Sequence, residues 1–285
     1  MTVAMADPTD AAAREAIATD LGIEPCVVQG DRLSIDRLVA ELWREEDERD
    51  AKLFVLAPAG SRVDEIRSYA EYLNSLLGTS LEFAPVVPSV ETMVERTSQD
   101  CELVILGKAE DRPREALFSG SLELMVLSRL SVSVLIAQRP CWPLRSVLLV
   151  IQGEPSDEDA THWGLRLAGP SSATVTALTV VPPVPGMYHG LSRMERGLAE
   201  LLTTDTALGG QMRAVARRLV DGHIEGKLLL RQGSPGWEIR RELLRGEYDL
   251  VVVAQSRADG LRRWLAGDLA VSLMRVVDRP ILVAR

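Results

Sequence analysis

The side chains best suited to metal ligation or nucleophilic chemistry are three histidines and three cysteines, and their spacing builds neither kind of site. His162, His189 and His223 fall on one expected helix and two expected loops, with no metal-ligand spacing among them. Cys26, Cys101 and Cys141 are odd in number and widely separated, so no CxxC pair or metal cluster can be drawn from them. They read as buried or bystander thiols in a reducing compartment. No G-x-S-x-G elbow is present, and neither a Walker loop nor a G-x-G-x-x-G turn follows any expected strand. No catalytic residue and no metal ligand is nominated.

The elements that would position any site are written twice. Leu103-Val104-Ile105-Leu106-Gly107 and Leu250-Val251-Val252-Val253-Ala254 are short continuous apolar runs, the pattern of strands buried on both faces of a parallel sheet. They lie 147 residues apart. The same offset carries Gly120 onto Gly267, and Leu122, Val126 and Leu130 onto Leu269, Leu273 and Val277, the inward stripe of a helix. It also carries Val134–Ala137 onto Ile281–Ala284, a second buried strand. A match of Val27-Val28-Gln29-Gly30 to Val150-Ile151-Gln152-Gly153, offset by 123, sets an expected first strand in each copy. The second copy should then carry 24 extra residues, within about 182–226.

Strands are expected at Cys26–Gln29, Leu53–Ala57, Glu82–Val87, Leu103–Leu106 and Val132–Ala137 in the first copy. Their counterparts in the second are Ser146–Ile151, Thr174–Val181, Lys227–Arg231, Leu250–Ala254 and Pro280–Ala284. Helices between the strands, expected in the first copy at about Ser34–Glu46, Arg62–Leu77, Val90–Thr97 and Gly120–Leu130, make an α/β fold: two tandem doubly wound domains, each with a five-stranded, mostly parallel sheet covered on both faces. A boundary falls at Pro140-Cys141-Trp142-Pro143. The expected organisation is an N-terminal extension over 1–24, a first domain over 25–140 and a second over 144–285.

Composition narrows the function classes. The chain has 285 residues, 46% hydrophobic and 26% charged, long enough for two cores, which only 4% aromatics make aliphatic. A net charge of −9 without any Lys/Arg-rich run argues against nucleic acid as partner. No run approaches the roughly 18 apolar residues of a membrane span, and MTVAMADPTD has no basic leader, so a cytoplasmic protein is expected. The Val181–Gly190 loop reads as a variable connector, and Met194, Leu198, Leu201 and Leu202 as a core-facing stripe.

These residues resemble the universal stress proteins. The second copy carries Ile151-Gln152-Gly153-Glu154, then Gly233-Ser234-Pro235 with Ile239, then Tyr248–Val253, and closes on Arg279-Pro280-Ile281-Leu282-Val283. The first copy is similar over about 25–139. In ATP-binding members, the resemblance implies a phosphate cradle, G-x2-G-x9-G-[ST], between the fourth strand and its helix. Helix N-terminal N–H groups face the anion there, and a first-strand aspartate contacts the adenine side.

On that pattern the first copy reads Gly107, Glu110, Gly120 and Ser121, with Lys108 within reach of a phosphate. The second reads Ala254, Arg257, Gly267 and Asp268. Gln29, beside Gly30, and Gln152, beside Gly153, replace the aspartate. A carboxylate such as Asp268 about 4 Å from a phosphate charge costs about 4 kcal/mol at an effective dielectric near 20. Loss of a charge-assisted hydrogen bond adds roughly 1.5–3 kcal/mol. The resemblance with these departures implies a non-catalytic stress-response binding or regulatory protein, its two domains paired as an intramolecular pseudo-dimer, with a homodimer or protein partner as further options. The alternative is an ATP-binding switch or weak ATPase using the first domain only, with ATP or another adenine nucleotide as its ligand.

Overall fold

The computed structural model describes residues 2–5, 26–29, 52–57, 61–84, 101–108, 122–182, 197–255 and 269–285. They fall in two compact units, Met1–Ala51 and Lys52–Arg285. Gly30, Glu110, Gly120, Ser121, Arg257, Gly267, Asp268 and His189 lie outside the described residues, as do the expected helices at 34–46 and 90–97. In the first unit, β1 (Thr2–Met5) and β2 (Cys26–Gln29) form a two-stranded parallel sheet.

The second unit holds a nine-stranded sheet. In chain order its elements are β3 (Lys52–Leu56), α1 (Val63–Leu77), β4 (Ser80–Ala84), β5 (Cys101–Gly107), α2 (Leu122–Arg129) and β6 (Ser133–Ala137). There follow β7 (Ser146–Ile151), α3 (Asp157–Ser171), β8 (Thr174–Val181), α4 (Leu198–Thr203), α5 (Ala207–Asp221) and β9 (Gly226–Gln232). Last come α6 (Pro235–Arg245), β10 (Leu250–Ala254), α7 (Leu269–Val276) and β11 (Ile281–Ala284). The strand order is β4-β3-β5-β6-β11-β10-β7-β8-β9. All neighbours are parallel except β6 and β11, which meet antiparallel, so two parallel halves join along one seam.

Alternation along the strands divides the core by face. Leu53, Val55, Leu103 and Ile105 point to a cluster roofed by α1, α3, α4 and α5. Phe54, Leu56, Val104 and Leu106 point to one roofed by α2, α6 and α7. In α1 the buried stripe is Ile66, Tyr69, Ala70 and Leu73, and Gly78 ends the helix with φ 67°, donating its N–H to Asn74 O. Leu201 is buried, and Leu198 and Leu202 pack against the same core.

Strand register settles how the halves correspond. Val104 pairs with Val134 and Val251 with Ile281, which reproduces the 147-residue offset. At the other end, Lys52 pairs with Ser80 and Ser146 with Thr174, an offset of 94. Leu53 pairs with Leu103 and Val147 with Leu250, which ties the two offsets together. The counterpart of β7 is therefore β3, not Cys26–Gln29 as expected, because β2 pairs with Thr2–Met5 in the separate small sheet. The first half contributes four strands to the large sheet and the second five. The surplus of the second half is 147 less 94, or 53 residues, rather than 24, and β9 has no first-half counterpart among the described strands.

Candidate functional site

In the second half, β7 lies between β8 and β10, and the described helices that follow β7 and β10, α3 and α7, roof opposite sides of the sheet. Their carboxyl ends form the topological switch point, where doubly wound sheets open a crevice for ligands. The loop Gln152-Gly153-Glu154 leaves β7 there. Gly153 has φ 84°, a conformation L side chains rarely adopt, and a Cβ added to it would lie 3.1 Å from Leu208 Cβ on α5.

Three successive N–H groups of this loop turn inward, the arrangement of an anion-binding nest. The chain fills it with its own carboxylate. Asp157, the first residue of α3 and fully buried, accepts from Gln152 N at 3.0 Å, Gly153 N at 2.6 Å and Glu154 N at 3.0 Å on Oδ2. Burial pushes its carboxyl above the usual carboxylate range, and these N–H groups oppose that only in part. Gln152 reaches across the switch point, donating Nε2–H to Ala254 O at 3.4 Å. Ser156 Oγ is buried beside this loop with no hydrogen-bond partner among the described residues.

The first-half switch point lies between β3 and β5. Gly107 ends β5 with ordinary φ, and a Cβ there would fall 2.1 Å from Ile66 Cδ1 on α1. By the two offsets, Ile66 and Gly107 correspond to Ala160 and Ala254. A large–small pair in one half stands where two alanines stand in the other, so close packing accounts for Gly107.

Lys108 donates from Nζ to Gln138 Oε1 at 2.7 Å, and Gln138 Nε2 donates to Val277 O and Arg279 O, each at 2.8 Å. The equivalent residues repeat this on the other side of the seam. Arg285 donates from Nε to Gln255 Oε1, and from its two terminal nitrogens to Leu130 O and Leu127 O. Each half thus uses the residue after its last strand to cap the last helix of the other half. Lys108, expected beside a phosphate, belongs to one of these brackets.

Other reactive groups are quiet. Burial pushes the Cys101 and Cys141 thiols up to about 11, so both are protonated at neutral pH. His162 meets Trp163 edge-on and the His223 ring nitrogen Nδ1 lies 3.1 Å from Asp221 O. Among the described residues no group of acidic, histidine and cysteine side chains could hold a metal ion, and no helix is long and apolar enough to cross a membrane. Of the residues expected at a site, the structure brings together Gln152, Gly153 and Ala254; Gln29 ends β2 in the first unit. The residue that sequence reasoning missed is Asp157. Its signal was an acidic side chain at the start of a helix five residues after Gln152.

Comparison with known proteins places this arrangement. The model of the universal stress protein family matches residues 143–285. A universal stress protein of Pseudomonas aeruginosa UCBPP-PA14 superposes with a TM-score of 0.55 at 13% identity, over 84% of this chain and 94% of that one. A functionally unknown protein of Pseudomonas aeruginosa PAO1 gives 0.53 at 14% identity, over 99% and 90%. A universal stress protein of Archaeoglobus fulgidus DSM 4304 gives 0.53 at 14% identity, over 91% and 84%. At these identities the likeness is one of fold. No curated protein matches the chain.

Proposed function

This chain belongs to the universal stress protein family, and from that premise we propose that it acts as a non-catalytic binding or regulatory module of the stress response whose ATP site has been lost or weakened. The observation that carries the reading is the Asp157 carboxylate on the N–H groups of Gln152, Gly153 and Glu154. A ligand entering the second-half switch point meets a loop whose inward donors are taken and whose mouth is spanned by Gln152. Displacing the carboxylate leaves it buried without those bonds, at a cost of roughly 1–3 kcal/mol or more. An anionic ligand also adds like charge.

Arg257 and Asp268 stand where the resemblance asks for a glycine and a hydroxyl, which agrees with loss of the cradle. In the first half, Lys108 is committed to Gln138 and Gly107 to packing, which weighs against a nucleotide switch built on that half alone. The reading further takes the two halves as duplicated domains paired within one chain in place of a dimer, working in the cytoplasm. Calorimetric titration of the full chain with ATP tests it. The expected result is no saturable heat at micromolar ATP. Saturable micromolar binding would overturn it, and loss of that binding in Gly120→Glu would assign it to the first half.

A further inference from the structure

Helix α6 buries two carboxylates and exposes two large apolar side chains. Its buried side carries Glu238 and Glu242 beside Ile239 and Leu243, while Trp237 and Leu244 are exposed by 62% and 78%. Both carboxylates have internal partners. Glu242 accepts from Arg231 Nη2 at 2.8 Å and from Tyr248 OH at 2.9 Å. Glu238 pairs with Arg241 at 3.5 Å. The inner face is thus satisfied by ion pairs, and the outer face holds the most exposed aromatic side chain among the described residues.

Trp237 and Leu244 are seven residues apart, two turns and about 10 Å along the same side of the helix. Arg240 and Arg241, both exposed, project between them on either flank, and exposed Arg245 follows. An apolar line flanked by guanidinium groups on a chain of net charge −9 is a local reversal of the molecule's own field. Tryptophan and arginine are also residue types enriched at binding hot spots.

We propose that the outer face of α6 docks an acidic amphipathic helical segment of a partner protein. Its apolar residues would cover Trp237 and Leu244, and its carboxylates would pair with Arg240 and Arg245, since Arg241 already serves Glu238. The partner's charge follows from complementarity: a basic segment meets the guanidinium groups of Arg240 and Arg245, and a neutral one desolvates them without offering a partner. The inference does not rest on the reading of the Gln152–Glu154 loop, because that loop leads into α3, which roofs the sheet face opposite to α6.

The test uses the full chain and a dye-labelled 16-residue synthetic helix with leucines at i, i+3, i+4 and i+7 and glutamates on its flanks, read by fluorescence anisotropy. Micromolar binding is expected, weakened at least tenfold by Trp237→Ala, by Arg240→Glu and by raised salt. Arg217→Glu, the same charge change on α5, should leave affinity unaltered. Circular dichroism confirms that these surface variants fold. The proposal is overturned if the acidic helix does not bind, if Trp237→Ala leaves binding unchanged, or if a lysine-for-glutamate version binds as well. Sedimentation showing a dimer that Trp237→Ala dissolves would also overturn it, since the occupant would then be a second copy.

Discussion

Adding one methyl group at Gly107 separates a packing role from a ligand role. Gly107 has ordinary φ, so Gly→Ala should by backbone entropy alone stabilise the protein by roughly 0.4–1 kcal/mol. The structure predicts the opposite sign. The new Cβ would lie 2.1 Å from Ile66 Cδ1 and 3.2 Å from Ile66 Cγ1, with Leu56 O at 3.5 Å. Ile66 is itself buried among Tyr69, Leu103 and Ile105. Overpacking of this kind costs typically about 1–3 kcal/mol.

Ile66→Ala alone should cost about 2–5 kcal/mol through the cavity it leaves. The double variant rebuilds the Ala160/Ala254 pair of the other half, so it should be more stable than the sum of the singles predicts, by about 1–3 kcal/mol. Urea denaturation of all four proteins, with slopes compared to confirm a common transition, measures this coupling. Gly107→Ala within about 0.5 kcal/mol of wild type, or additivity within about 0.5 kcal/mol, would refute the packing account.

Two carboxyls should give opposite pH slopes. Asp157, raised chiefly by burial, has a folded pKa above its unfolded one. Its contribution is therefore present at acid pH and lost as pH rises from about 4 through the folded value, and the stability margin of wild type over Asp157→Asn should shrink in that direction. Burial pushes Glu242 up as well, but the bonds from Arg231 and Tyr248 outweigh it and hold the carboxyl below its usual range. Its contribution is present above about 4.5 and lost as pH falls, so the margin over Glu242→Gln should shrink on acidification; urea midpoints from about pH 3 to about pH 7 check both signs. Arg285→Ala removes the donors to Leu127 O, Leu130 O and Gln255. It should cost roughly 1.5–3 kcal/mol and speed amide exchange in β6 and β11, a reading that fails if exchange there is unchanged.

The sheet was legible where burial writes itself into composition. Strands covered on both faces become unbroken apolar runs, and Leu103–Gly107 and Leu250–Ala254 announce both themselves and their offset. The first strand of the first half was misread because Val27-Val28-Gln29-Gly30 matches Val150-Ile151-Gln152-Gly153 so closely. Four similar residues say nothing of which neighbour a strand hydrogen-bonds to. The true correspondence is carried by spacing: Tyr69 and Leu73 answer to Trp163 and Leu167, and the left-handed caps Gly78 and Ser172 stand at the same offset of 94. Asp157 was visible as a helix-start acid, but the N–H groups it takes depend on how Gly153 turns the chain. Helix α6 hid its exposed apolar line because periodicity places Trp237 and Leu244 on one side, and Ile239 and Leu243 on the other, without saying which side is wet.

Native mass spectrometry of the full chain, purified gently from the cells that make it, tests most directly whether its switch points hold a nucleotide. The account predicts the mass of the polypeptide, 31.2 kDa, with no adenine-nucleotide increment. A stoichiometric ATP-sized adduct that survives buffer exchange would contradict it, and its loss in a Gly120→Glu variant would assign it to the first half.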